Sequence, residues 1–140
     1  MADTLTAPER ATRMALIRSR DTKPEMIVRR LLHSLGFRYR LHAKELPGKP
    51  DVVFRSRRKV IFVHGCFWHR HDDPACKLAR LPKSRLDFWI GKLEANRARD
   101  LANVEKLEKM GWKVAIVWKC ELRDREQLGN RLERFITEKS

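Results

Sequence analysis

Apolar positions follow two periods along the chain, and the switches between them outline its elements. From residue 22 the spacing is helical: Val28, Leu31, Leu32 and Leu35 recur at three- and four-residue steps. Thr22 is placed to cap this helix, with Glu25 three residues on, and Gly36 ends it. FRYRLH, residues 37–42, alternates as a strand does, and LPGKP, residues 46–50, is turn chemistry. DVVF (51–54) and KVIFV (59–63) are β-branched runs joined by the basic turn RSRR, which predicts a hairpin. A long helical pattern covers 87–111, with Leu93, Leu101, Val104 and Leu107 among its apolar positions and Gly111 at its end. WKVAIVW, residues 112–118, is almost wholly apolar and is expected to be a central strand buried on both faces. The last helix, Arg125 to Glu138, is expected to bury Leu128, Leu132, Phe135 and Ile136. Helix, hairpin, helix, strand and helix predict an α/β fold, a mixed sheet covered by helices. It would occupy residues 21–140, behind a short basic arm or helix over 1–20.

Charge narrows the partner. The 140 residues carry 32 Lys and Arg against 18 Asp and Glu, a net +14 at pH 7. An excess of that size calls for a polyanion, and nucleic acid fits better than a membrane, since no basic amphipathic helix or long apolar span is present. The N-terminal MADTLTAPER has no apolar run of the secretory kind, so the cytoplasm is the expected compartment. Three cysteines cannot all pair, and in a reducing compartment they read as metal ligands or buried thiols.

Most of the candidate chemistry lies in HGCFWHRHDDPAC, residues 64–76. Tetrahedral zinc takes thiolate and imidazole ligands, and a closed structural site needs four. Cys66, His71 and Cys76 are spaced so that one loop reaches one ion, and Cys120, just after the strand 112–118, is the remaining thiol. These four predict a Cys3His zinc site stapling the loop to that strand. His64 and His69 are left over for catalysis. His64 ends one hairpin strand and Asp51 begins the other, so a carboxylate and imidazoles converge at the open end. A carboxylate can hold Mg2+, and a neutral imidazole can take a proton from water or contact a phosphate. Glu25 could add a second carboxylate or serve only the helix cap. His33 and His42 read as structural or surface residues.

These residues together resemble the very short patch repair (Vsr) DNA mismatch endonucleases. The resemblance runs from about Thr12 to Phe135, anchored on DTKPE (21–25), LPGKPD (46–51), VIFVHGCFWH (60–69), FW (88–89) and GWKVAIVWKCEL (111–122). It implies a fold like the type II restriction endonucleases, whose PD-(D/E)xK core holds a metal on a hairpin. Pro50-Asp51 matches the PD, while Phe62 and His64 stand at the positions of the second acid and the lysine. By matching position, the resemblance implies Asp51 and the Val63 carbonyl as Mg2+ ligands and His69 as general base. It implies His64 at the scissile phosphate, Glu25 supporting metal-bound water, and structural Zn2+ on Cys66, His71, Cys76 and Cys120. HDDPAC is longer than in some relatives, a departure that touches Cys76. The resemblance also gives Phe67 and Trp68 a use: with Trp89 they enter the base stack beside a mismatch, where a flat ring replaces lost stacking. Trp112 and Trp118 are expected to be core.

The expected protein is thus a bacterial, nucleoid-associated monomeric enzyme. It would nick one strand of mismatched duplex DNA 5′ of the T in T·G, starting repair of deaminated 5-methylcytosine, with other mismatch-repair proteins as candidate partners. Two other readings share the residues: a restriction-type or junction nuclease on the same core, and a non-catalytic zinc-stabilised DNA-binding protein.

Overall fold

The computed structural model describes residues 22–138 apart from 70, 72, 74 and 82; the arm expected over 1–20 lies outside them. The elements run α1 (Lys23–Ser34), β1 (Arg40–Leu41), β2 (Val52–Phe54), β3 (Lys59–His64), α2 (Leu86–Lys109), β4 (Lys113–Trp118) and α3 (Arg125–Thr137). Two 3-10 turns, Lys77–Ala79 and Lys119–Arg123, follow the cysteines' neighbourhood. The four strands form one mixed sheet in the order β1-β2-β3-β4. β2 is antiparallel to both β1 and β3, while β3 and β4, joined through α2, run parallel.

Pleat alternation divides the core between the two faces of the sheet. Val52, Phe54, Ile61, Ala115 and Val117 pack on one face against Val28 and Leu32 of α1 and Leu128, Leu132 and Ile136 of α3. Val53, Val60 and Phe62 pack on the other against Leu107 of α2 and Trp112. Local chemistry agrees at the ends of α1 and α3: Thr22 Oγ1 accepts from the Glu25 N–H at 3.4 Å, and Asp124 Oδ1 from the Gln127 N–H at 3.0 Å.

Several expectations are corrected. β4 is an edge strand among the described residues, and β3 takes the central, buried place. The apolar run of β4 reflects cover on both faces, since Val114 and Ile116 pack against the α2 side. Two covered faces do not require two neighbouring strands. Its open edge is partly closed by Arg131, whose guanidinium donates to the Ile116 carbonyl at 3.0 Å. The strand expected over 37–42 pairs only at Arg40 and Leu41, because the register Arg40↔Val53 sets Tyr39 beside Phe54, where β2 ends. Phe135, expected to be buried, is only partly buried.

Candidate active site and metal centre

Parallel pairing between β3 and β4 builds the first cluster. Their register matches His64 with Trp118, so Cys66 and Cys120 each lie two residues beyond one strand pair and leave the sheet side by side. A turn closed by the His71 N–H on the Cys66 carbonyl, at 2.9 Å, returns the loop, and Cys76 precedes the turn 77–79. Ligand atoms of Cys66, His71, Cys76 and Cys120 all lie within 4.8 Å of one another. Cys120 Sγ is 3.6 Å from His71 Nδ1. A tetrahedral ion with ordinary Zn–S and Zn–N bonds places such a pair about 3.6 Å apart. The donor set and spacing therefore fit Zn2+. Burial pushes the Cys66 thiol up to about 12, so that sulfur loses its proton only when a cation replaces it. Trp118, expected in the core, is half-buried and stacks on His71 with centroids 4.2 Å apart, lining the cluster.

A second cluster sits where β2 begins and β3 ends. Asp51 Oδ2 accepts from the Val63 N–H at 2.7 Å, which locks the carboxylate to the hairpin. Glu25, 2% exposed, turns its carboxylate inward instead of closing a capping box: Oε2 accepts from Arg29 at 3.1 Å, and Oε1 lies 3.0 Å from His42 Nε2. Glu25, His42 and Asp51 form a group with ligand atoms within 4.8 Å of one another. Burial first, and Glu25 next to it, push the Asp51 carboxyl up to about 7, against the Val63 N–H, which favours the charged form. Two crowded, desolvated carboxylates are a poor arrangement without a cation, and oxygen donors suit a hard one such as Mg2+. His42, expected to be a structural or surface residue, is half-buried and meets the Glu25 carboxylate.

The third cluster joins His64 and His69 with Asp100. The two imidazoles stack face to face at 3.8 Å with an interplanar angle of 6°. His69 Nδ1 bonds Asp100 Oδ2 at 2.6 Å, which leaves Nε2 as the free ring nitrogen. Burial, followed by the neighbouring His69, pushes His64 down to about 3, so it is a neutral imidazole. Its Nδ1 is buried with no hydrogen-bond partner among the described residues.

The aromatic residues gather beside these clusters. Phe67, Trp68 and Trp89 meet edge to face, with centroids 5.1 Å (Phe67–Trp68), 5.4 Å (Phe67–Trp89) and 6.1 Å (Trp68–Trp89) apart. All three are half-buried, and Phe88, 47% exposed, extends the group at 5.3 Å from Trp89.

Helix α2 holds these parts in place, and its sequence carried a signal for doing so. Leu93, Asn96, Asp100, Asn103 and Leu107 recur at steps of three and four, so small polar residues occupy the middle of an inward stripe. Asn96 Nδ2 donates to the Trp68 carbonyl at 3.1 Å, and Asp100 holds His69. Asn103 lies so close to Gly48 that a Cβ there would meet it at 3.0 Å, and Gly48 also has φ +75°. That glycine lets the 46–50 turn deliver Asp51 beneath the helix.

The family model for the DNA mismatch endonuclease Vsr matches residues 2–75. The chain is 54% identical to the type II nicking enzyme V.XorIIP of Xanthomonas oryzae pv. oryzae, over 97% of this chain and 98% of that protein. It is 44% identical to the type II nicking enzyme V.NmeAIP of Neisseria meningitidis, over 99% of this chain and 96% of that one. It is 41% identical to the DNA mismatch endonuclease Vsr of Escherichia coli K12, over 97% of this chain and 88% of that one. At these identities over nearly the whole length, the chain belongs to the Vsr family of DNA mismatch endonucleases.

Proposed function

We propose that this protein nicks one strand of duplex DNA on the 5′ side of the mispaired T in a T·G mismatch, leaving 5′-phosphate and 3′-hydroxyl ends. The observation that carries this reading is the convergence of Asp51, Glu25 and the His64–His69 pair at one end of the β2–β3 hairpin, beside the Phe67–Trp68–Trp89 cluster. Mg2+ held by Asp51 and the Val63 carbonyl, with Glu25 supporting its waters, would supply a polarised phosphate and an acidified water. His69 Nε2 takes the proton from the attacking water, while Asp100 at Nδ1 fixes the orientation of the ring. His64, kept neutral, offers one N–H to the scissile phosphate. The bond from phosphorus to the 3′-oxygen breaks, that oxygen takes a proton from solvent water and leaves as the hydroxyl, and His69 gives its proton back to solvent.

Zn2+ on Cys66, His71, Cys76 and Cys120 would hold the loop on both sides of Phe67 and Trp68, so insertion of their rings need not order a loose segment. The +14 charge supplies affinity without sequence. Asp51, both imidazoles and the wedge come from one chain, which supports action as a monomer. The names of two relatives, nicking enzymes, support cleavage of a single strand. No described helix is long and apolar enough to cross a membrane.

The test is a set of end-labelled duplexes, T·A and T·G, incubated with Mg2+ or with a chelator. One strand of the T·G duplex should be cut, only with Mg2+, and Asp51→Ala should bind that duplex without cutting it. Equal cleavage of T·A would return the protein to the restriction-type reading.

A further inference from the structure

His42 ties together the two carboxylates of the second cluster. Its backbone N–H donates to the Asp51 carbonyl at 3.2 Å, one step beyond the Leu41↔Val52 pair, so the sheet ladder sets its place relative to Asp51. Its φ of +49° lies in the left-handed region, which a residue with a Cβ adopts only where its surroundings hold it there. From that backbone, Nε2 reaches Glu25 Oε1 at 3.0 Å, while Arg29 holds Oε2 at 3.1 Å. Both oxygens of a buried carboxylate are thus bonded, one from its own helix and one from the end of β1, the strand paired with β2, which Asp51 precedes. Without the imidazole, Glu25 would lose its hydrogen bond from the end of β1, the strand whose ladder fixes His42 beside Asp51.

We infer that His42 is a positioning residue for the divalent cation: it holds the Glu25 carboxylate at the spacing from Asp51 that cation binding needs. The inference rests on the reading of Asp51 as a ligand of the cation and of Glu25 as the acid that supports its waters. It assigns His42 a hydrogen bond, not a coordination bond, to the site. Groups that orient metal-binding carboxylates typically change affinity by roughly 10- to 100-fold when removed.

Binding is read directly, with Mn2+ as the probe and free Mn2+ followed by electron paramagnetic resonance on the zinc-loaded, DNA-free protein. Wild type and Asp51→Ala come first, because loss of Mn2+ binding in Asp51→Ala establishes the site independently of His42. His42→Ala should then bind Mn2+ about 10- to 100-fold more weakly. The Mg2+ concentration giving half-maximal nicking should rise by the same factor. His42→Gln, whose amide N–H can reach Glu25, should recover most of the affinity in both measurements. Unchanged Mn2+ affinity in a folded His42→Ala protein would overturn the role. So would a His42→Gln protein as weak as His42→Ala, since that result would make the imidazole itself a ligand. If Asp51→Ala retains full Mn2+ binding, the cation site is elsewhere and the inference fails with the reading beneath it.

Discussion

At one end of β3, Lys59 is 2% exposed and its ammonium donates to the carbonyls of Phe135, Ile136 and Glu138, at 2.6 and 3.0 Å for the first two. At the other end His64 is 5% exposed, stacks on a second imidazole, and leaves Nδ1 without a partner among the described residues. Six residues of one strand therefore bury two ionisable groups with opposite outcomes. The lysine closes the C-terminal end of α3, where carbonyls lack intrahelical donors and the helix dipole favours a cation. Its hydrogen-bonding capacity is filled by the protein itself. The histidine's Nδ1 has no such partner among the described residues, which fits the proposed use of this imidazole in the active site. Burial alone does not separate structure from site; satisfaction of the buried group does.

Five experiments break or sharpen this contrast. Cys120→Ala removes the ligand that joins the 66–76 loop to the end of β4. It should lose stoichiometric zinc, measured by atomic absorption, and several kcal/mol of stability. A Cys120→Ala protein that keeps its zinc would remove the proposed site.

His69→Ala should lower the single-turnover nicking rate by roughly 10²–10⁴ while the melting temperature stays within a few degrees. A large loss of stability with little loss of rate would make the stacked imidazoles structural, like Lys59.

Lys59→Met should do the reverse. With no donor for the carbonyls of Phe135, Ile136 and Glu138, it should cost about 1–3 kcal/mol in urea denaturation. The nicking rate of the folded fraction should not change. A rate defect at full stability would mean that the two ends of β3 are coupled.

Trp68→Ala tests whether the ring cluster reads the mismatch. A stacking ring contributes about 1–3 kcal/mol on single strands. The preference for T·G over T·A duplex should therefore fall roughly 10- to 100-fold, with the salt dependence of binding nearly unchanged. Intact preference with an altered salt slope would return Trp68 to a packing role.

The smallest effect concerns pH in the absence of Mg2+. Asp51 titrates at about 7 in the folded chain, above its ordinary value near 3.9. Its contribution is thus full below about pH 4 and is lost as pH rises through 7. His64 titrates at about 3 when folded, below an ordinary value of about 6.5. Its contribution is full above about pH 6.5 and is lost as pH falls toward 3. The two slopes oppose each other between about pH 4 and 6.5. Asp51→Asn removes one of them, so its stability should gain on wild type by on the order of 1 kcal/mol per pH unit over that range. Parallel urea profiles for the two proteins would show that Asp51 is not held as a buried acid.

Much of the frame was legible without the fold. Periods of 3.6 and 2 report which faces are buried, and burial is what selects α1, the β2–β3 hairpin, α2 and α3. The four residues of the proposed zinc site could be chosen because the chain has three cysteines and one loop rich in histidine. Asp51 was marked by the turn before it, and His64 by its place at the end of an apolar run.

Other features depended on partners that no local pattern encodes. Glu25 and His42 are 17 residues apart, His69 and Asp100 are 31 apart, and Lys59 and Phe135 are 76 apart. Side-chain type and spacing say that a group is polar and near an apolar stripe. They do not say which distant group completes its hydrogen bonds, since that depends on how α1, α2 and α3 dock on the sheet. For the same reason an apolar run could mark β4 as covered on both faces but could not set its rank, because strand order is a matter of which backbone edges pair. Sequence determined what this protein must bury; tertiary structure decided which buried charges were satisfied and which were left free to act.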